Sequence, residues 1–467
     1  MYGDVNVKIE DGKAASSIAG IGAQVKIGIG LSAEKVPVLI TGAMDSRTIR
    51  EKLGSTPLAS ACMDAVENGA NEIYCIPVSG ANEGSIGKVE HSGTGTVLLE
   101  VQGKPMDSYT VVVNITESGK RNEGVFSYSI NGKKSDEATI PADGQYALEG
   151  TGLTLAFGDT AASGFVEGDS FTFAAKAPEM SNQEVLDAVD AASSMNISFE
   201  YIHIVGASGK ALWSALAAAA NRLLTEKKRP CFFVCEARPK GAEESLDDYV
   251  EAMKQERRGI SSMFLQAVCS HSEYARMDGT VAEVNNAGII TGLYSRAKES
   301  QSIGEVRSFP IPATRLLRLL PEGIEKHIKT LDEAGYLTVR QYAGLEDYYV
   351  TSANMLAPEG SNYTYAEDVR VVNKLVKEVR AKALEELQRE IDLSDIKTSL
   401  ITVQADLNIP VETAVRDGII SSGRVEIEDL DSREFMETES VDITIFYVPK
   451  GHIREINLTF TVENPYA

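Results

Sequence analysis

Apolar and polar residues alternate through 440-SVDITIFYVPKGHIREINLTFTVENPYA-467. Ile443, Ile445 and Tyr447 share one side of the first segment, and Ile456, Leu458, Phe460 and Val462 share one side of the second. A period of two marks a half-buried strand, so both segments predict strands that need something to pair with. Val5, Val7 and Ile9 alternate in the same way with Asn6, Lys8 and Glu10, ahead of the small-residue stretch AASSIAGIGAQ, which reads as a flexible lead.

Between these segments the pattern changes twice. VKIGIG and VPVLITG read as strands. Thr56 and Pro57 then suit the N-cap and first position of a helix with Leu58, Ala61, Cys62, Ala65 and Val66 on one face and Gly69 as its stop, and EIYCIPV follows as a buried strand. From about Gly84 to Ala177 only short β-rich segments occur (TVLLEV, YTVVVNIT, VFSYSI, LTLAF, FTFAA), with the hairpin dipeptide Asn131-Gly132 among their turns. This predicts an all-β insertion within an α/β protein. From residue 181 helices and strands alternate again: FEYIHIVG, an Ala-rich helix from Lys210 to Leu224, PCFFVCEA, a helix over Leu246–Met253, and MFLQAV. That alternation implies parallel pairing through right-handed crossovers. A later helix is predicted from Glu367 to Ile391, with Val369, Val372, Val376, Val379, Ala383 and Leu387 on one face and a capping box at Thr364-x-x-Glu367. The acid-rich run VEIEDLDSREFMETES precedes the last strands.

The fold class expected is therefore α/β (α+β) and multidomain, with a mixed-sheet core, an all-β insertion and extended strand arms. The divisions expected are an arm at 1–20, core at 21–83, insertion at 84–177, core at 178–345 and a C-terminal domain at 346–467. A length of 467 residues agrees with about two to four domains. The 68 acidic against 45 basic side chains give a net charge of −23, which disfavours nucleic acid and anionic membranes as partners. Cys62, Cys75, Cys231, Cys235 and Cys269 sit mostly in apolar runs and read as reduced, buried thiols. MYGDVNVKIEDGKAA has neither the basic nor the apolar region of a secretion signal, and no run has membrane-spanning length.

Candidate chemistry is sparse. In 201-YIHIVGASGKALW-213 a glycine turn opens a helix at Lys210, but a phosphate-binding loop would need its first glycine at position 204, which is Ile, and Ser or Thr at 211, which is Ala. The histidines are His91, His203, His271, His327 and His452, and no nucleophile elbow surrounds Ser270-His271-Ser272. His203 reads as a strand residue packed on one face, and His271 as a loop residue. Cys231 and Cys235 lack further ligands for zinc and read as core. Neither Lys227-Lys228-Arg229, at a helix end, nor the acidic run from Glu426 to Glu439 decides a function. No catalytic, cofactor-binding or metal-binding residue is assigned. A nucleotide enzyme using Gly206–Lys210 stays open as an alternative.

The order of segments carries a resemblance. REKLGSTPLASACMDAVENGANEIYCIPV, NAGIITGLYSRAKESQSIGEVRSFPI, GYLTVRQYAGLEDYYVTSANMLAPEGSNYTYAEDVRVVNKLVKEVR and VDITIFYVPKGHIREINLTFTV, in that order, resemble successive parts of contractile tail sheath proteins. The resemblance implies a non-enzymatic, cofactor-free subunit of a phage tail or tail-like particle, assembled in a bacterial cytoplasm. Such subunits stack as hexameric rings around an inner tail tube protein, with baseplate and tail terminator proteins as further partners. Terminal arms, here carrying Val5, Val7, Ile9, Ile443, Ile445, Tyr447, Ile456, Leu458, Phe460 and Val462, would add strands to neighbouring subunits, and the insertion would face outward. Another tail or baseplate role is the remaining alternative.

Overall fold

Gln24–Ile29 lies at the centre of a six-stranded sheet, flanked in parallel by Tyr201–Ser208 and Glu72–Val78. The computed structural model describes residues 23–31, 36–158, 163–195, 197–428 and 431–463. The sheet continues through Phe232–Ala237 to Leu265–Val268, both parallel, and ends on the other side with Val38–Thr41, its one antiparallel member. All residues of Gln24–Ile29 are buried, as befits a central strand covered on both faces.

Helices Asn182–Ser193 and Lys210–Thr225 supply Val185, Ala188, Val189, Trp213 and Leu216 to the main core. Ser181 and Glu184 close a capping box at the first of these. Pro57–Glu67 starts where the sequence predicts, with Thr56 as its N-cap. It crosses helix Ala287–Arg296 at very short range. A Cβ at Gly292 would stand 2.5 Å from the carbonyl oxygen of Ala65, and one at Gly288 would stand 2.9 Å from Cβ of Asp64. The glycines of NAGIITGLYSR thus serve this helix crossing.

Residues 85–176 form two antiparallel sheets of seven and three strands around a core of their own, which includes Val111, Val113, Phe126, Phe157, Phe165, Phe171 and Phe173. Asn131 and Gly132 both have positive φ, 49° and 78°, as the tight turn between Val125–Ile130 and Lys133–Lys134 requires. Against helix Pro57–Glu67 this unit is braced by Ser60 Oγ donating to Asp107 (2.8 Å) and Tyr109 OH donating to the Ser55 carbonyl (2.9 Å).

Two buried ion pairs join distant segments. Arg276 grips Asp64 in bidentate fashion at 2.6 and 2.9 Å, with both side chains about 5% exposed or less. Arg370 pairs with Glu200 and also donates to the carbonyls of Tyr294 and Ala297. Arg370 lies on the long helix Ala366–Glu386, whose first half packs in the main core through Val369 and Val372. Its second half belongs to a separate core with Leu375, Val379, Val403, Leu407 and Val411.

Several sequence-level expectations are corrected. The long helix stops at Glu386, because Leu387 is extended and Gln388 takes φ 64°, so it does not reach Ile391. Its predicted capping box does not form. Tyr365 is the N-cap, Thr364 Oγ1 donates to the Ser361 carbonyl, and Glu367 pairs with Arg454. A helix over Ile396–Arg416 has no counterpart in the sequence reading. His271 is not in a loop but opens strand His271–Ala275, opposite Asn285 and Leu320.

Candidate subunit-assembly site

The alternating segment ITIFYV forms strand Ile443–Val448, as its period of two predicts, and finds its partner within the subunit. It pairs antiparallel with Ser422–Ile427, with Val425 opposite Ile445 and Gly423 opposite Tyr447. The hairpin seats on helix Ile396–Arg416, to which Val425 and Tyr447 contribute buried side chains while Ile443 and Ile445 are half-buried. Contact is close at Gly423, where a Cβ would stand 2.6 Å from Cγ1 of Val411. Gln404 Nε2 donates to the Val425 carbonyl (2.5 Å). Burial, reinforced by Tyr363 and Asp368, raises the Tyr447 phenol well above its ordinary value. The opposite face is solvated, and Arg424 there lies 4.2 Å over the Phe446 ring.

Beyond Val448 the chain turns back to the main body. Ser421 Oγ donates to the Pro449 carbonyl (3.1 Å), and His452 Nε2 donates to the Ser300 carbonyl (2.9 Å). Arg454 pairs with the buried carboxylate of Glu367, donates to Ser302 Oγ (3.4 Å) and stands 3.8 Å over the ring of Tyr365. Next in sequence to Glu367, the Asp368 carboxyl is pushed up to about 7, by burial first and by the Glu367 charge second.

From Glu455 to Glu463 the segment takes part in no strand pairing among the described residues. Ile456, Leu458, Phe460 and Val462 are 71%, 75%, 93% and 96% exposed. Water therefore covers a strand-patterned apolar row, an arrangement a stable monomer avoids and a strand-adding partner would cover. Val5, Val7 and Ile9 lie outside the described residues.

A family model described as DUF2586, N-terminal domain, matches residues 2–354, and one described as DUF2586, C-terminal domain, matches residues 362–467. The chain belongs to the DUF2586 family. No curated protein matches it by sequence. Among solved structures it is similar to the anti-feeding prophage (AFP) helical sheath in its contracted state, with a TM-score of 0.53 at 10% identity over 99% of both chains. It is also similar to the PVC sheath of an extracellular contractile injection system, contracted, with a TM-score of 0.53 at 9% identity over 99% of this chain and 98% of that one. The sheath tail protein DSY3957 from Desulfitobacterium hafniense aligns over 95% of this chain and 100% of its own, with 13% identity and a TM-score of 0.49. The DUF2586 chain thus has the fold of contractile sheath proteins.

The other candidate residues of this DUF2586 chain have structural partners. In the GASGK turn, Ser208 Oγ donates to the Glu236 carbonyl (2.8 Å) and accepts from Trp213 Nε1 (2.9 Å). The Glu256 carboxylate stands 3.2 Å from where a Cβ on Gly209 would be, so a phosphate at this helix start would meet a negative charge. His203 is buried between Lys26, whose Nζ donates to Nδ1 (2.7 Å), and Glu236, which accepts from Nε2 (3.0 Å). Burial holds Lys26 down at about 8 and His203 well below its usual value, and lifts Glu236 to about 7. All five cysteines are free and buried, with Cys62 and Cys75 sulfurs 3.2 Å apart. Burial pushes Cys231 up to about 12. Among the described residues no cluster of three or more His, Cys, Asp or Glu could hold a metal ion, and no helix is long and apolar enough to cross a membrane.

Proposed function

We propose that this chain is the structural subunit of a contractile sheath. In this reading it polymerises with itself as stacked hexameric rings around an inner tube, and repacks to a shorter, wider form that drives the tube through a target envelope. The single observation that carries the proposal is the uncovered apolar row Ile456–Leu458–Phe460–Val462 on a chain with the sheath fold. Strand addition between subunits would cover that row. Backbone hydrogen bonds would supply the strength of the joint, and alternate side chains would set its register. Val5, Val7 and Ile9 would form a second arm, and residues 85–176 would face outward. The tube, baseplate and terminator proteins of a phage tail or tail-like particle are the further partners, and the site of assembly is the bacterial cytoplasm. The function proposed needs no catalysis and no cofactor.

Negative-stain electron microscopy of the purified chain at rising concentration tests this directly. Hollow striated cylinders are expected from the full chain, and dispersed subunits from chains lacking residues 1–12 or 455–467. Normal cylinders from either truncation would sink the arm assignment, and dispersed full-length subunits at every concentration would sink the sheath reading.

A further inference from the structure

The exposed arm does not leave directly from the hairpin that precedes it. Strand Ile443–Val448 belongs to the C-terminal core, whereas Ser300, Ser302, Tyr365 and Glu367 lie in the main body and at the start of the long helix. We infer that His452 and Arg454 form a latch that launches the arm from the main body and sets its direction toward the neighbouring subunit. The inference rests on the assembly reading above and adds a positioning role for residues which that reading leaves unused.

Arg454 is held from three sides, by the Glu367 carboxylate, the Tyr365 ring and the Ser302 hydroxyl. The Glu367 side chain is 2% exposed, and a carboxylate so deeply placed requires a cation. Arg454 Nη2 donates to Oε1, while Oε2 has no hydrogen-bond partner among the described residues, so Arg454 is the cation that the structure pairs with this carboxylate. His452 adds a second point of attachment two residues earlier. Two points on an extended chain, which advances roughly 3.3 Å per residue, fix a direction as well as a position. Beyond Arg454 every described residue is exposed, and the apolar row begins at Ile456.

The consequence is mechanical. The donor arm moves with the main body, while the hairpin stays with the C-terminal core. Without the latch the free tether would start at Val448 and sample a wider volume, lowering the effective concentration of its apolar row at a fixed acceptor. Screening by salt would weaken the Arg454–Glu367 pair little, because one partner is buried.

The test uses the full chain and the variants R454Q, R454K and E367Q. Tryptic cleavage after Lys450 reads the latch in the unassembled subunit, and the concentration at which polymer first sediments reads its effect on assembly. We expect R454Q and E367Q to speed cleavage about tenfold by raising the open population, and to raise the polymerisation threshold at least about threefold. R454K, which keeps the charge, should fall between wild type and R454Q. R454Q strands the buried Glu367 carboxylate and should also lower the melting temperature, whereas E367Q removes that charge together with the pair, so faster cleavage of E367Q at a melting temperature near that of wild type separates latch loss from unfolding. Equal cleavage of R454Q and wild type would overturn the latch. Faster cleavage with an unchanged threshold would overturn its directing role while leaving the arm model intact. A wild-type chain that never polymerises would sink the sheath reading instead, and the cleavage rates would still decide the latch.

Discussion

Replacing Phe460 by Ala separates folding from assembly. The ring is 93% exposed in the subunit, so its removal takes nothing from the subunit's own core and should leave the melting temperature unchanged. In an assembled sheet the same ring would pass from nearly full exposure into an interface. Burying a side chain of this size contributes about 1.5–3 kcal/mol, and a central value of about 2 kcal/mol is apt for a ring covered on one face. At about 1.4 kcal/mol per factor of ten, F460A should raise the critical concentration for polymerisation about 30-fold. Sedimentation of the polymer over a dilution series measures this, with thermal denaturation of the unassembled chain alongside. Thr459 is the control, because it lies on the other side of the alternating row and T459A removes little apolar area. T459A should shift the threshold less than about threefold. Equal thresholds for F460A and wild type would refute the claim that this row is what a neighbour covers, and a large shift for T459A with none for F460A would mean the register is inverted.

Three further outcomes follow from the interior. Because all five cysteines are buried and burial holds Cys231 and Cys269 up at about 12, the native chain should not react with a thiol-specific disulfide reagent until it unfolds, and prompt native labelling would contradict the packing. R276M should leave Asp64 buried without its cation and lower stability by about 3–5 kcal/mol, read as a drop in the urea midpoint; a midpoint within error of wild type would show that the pair does not join the two segments. His271 is held down at about 4 by burial, so the folded chain binds fewer protons there than the unfolded chain between about pH 6.5 and 4. Its contribution is full above pH 6.5 and is lost as pH falls through that window. H271N should therefore reduce the acid-side slope of stability by up to about one proton, and an unchanged slope would count against a neutral buried imidazole.

Much of the fold is legible in the sequence because burial on both faces of a parallel sheet produces continuous apolar runs, as in EIYCIPV and PCFFVCEA, which only a covered strand tolerates. The α/β class follows from those runs and the helical patterns between them. Helix Ile396–Arg416 is obscured by two features. Pro410 lies inside it, and Ile401 and Ile409 place apolar side chains on its solvent face, which blurs the helical period. Strand Ser422–Ile427 runs into the start of the acid-rich stretch and is hidden there, since Arg424 and Glu426 face water and Val425 is the only residue of the six that is buried. At the start of the long helix a local rule fails for a non-local reason. The Glu367 carboxylate that a capping box would use is taken by Arg454, a residue 87 positions away, and no window on the sequence contains both. The apolar row at 456–462 is readable as strand-forming, but that no strand among the described residues pairs with it emerges only in three dimensions.

The distribution of buried charge then bears on how such a subunit would work. A buried ion pair contributes little net stability after its desolvation cost, but it penalises any arrangement that separates the partners. The pairs here stand at joints. Arg276 and Asp64 lock the strand hairpin after the main sheet onto helix Pro57–Glu67, the helix that also braces the β insertion, and Arg370 with Glu200 locks the long helix, shared by two cores, onto the main sheet. Those joints resist shear inside the subunit. A sheath that shortens by repacking needs rigid subunits whose interfaces change and whose links survive the change. Stiffness would then belong to the charged joints and compliance to a segment with no pairing of its own, such as Glu455–Glu463. Arg454 stands at the boundary between the two, with its guanidinium on a buried carboxylate of the rigid part and its backbone leading into the compliant one. A force carried by the arm would therefore reach the long helix first, and through Arg370 the sheet, without loading the hairpin between them.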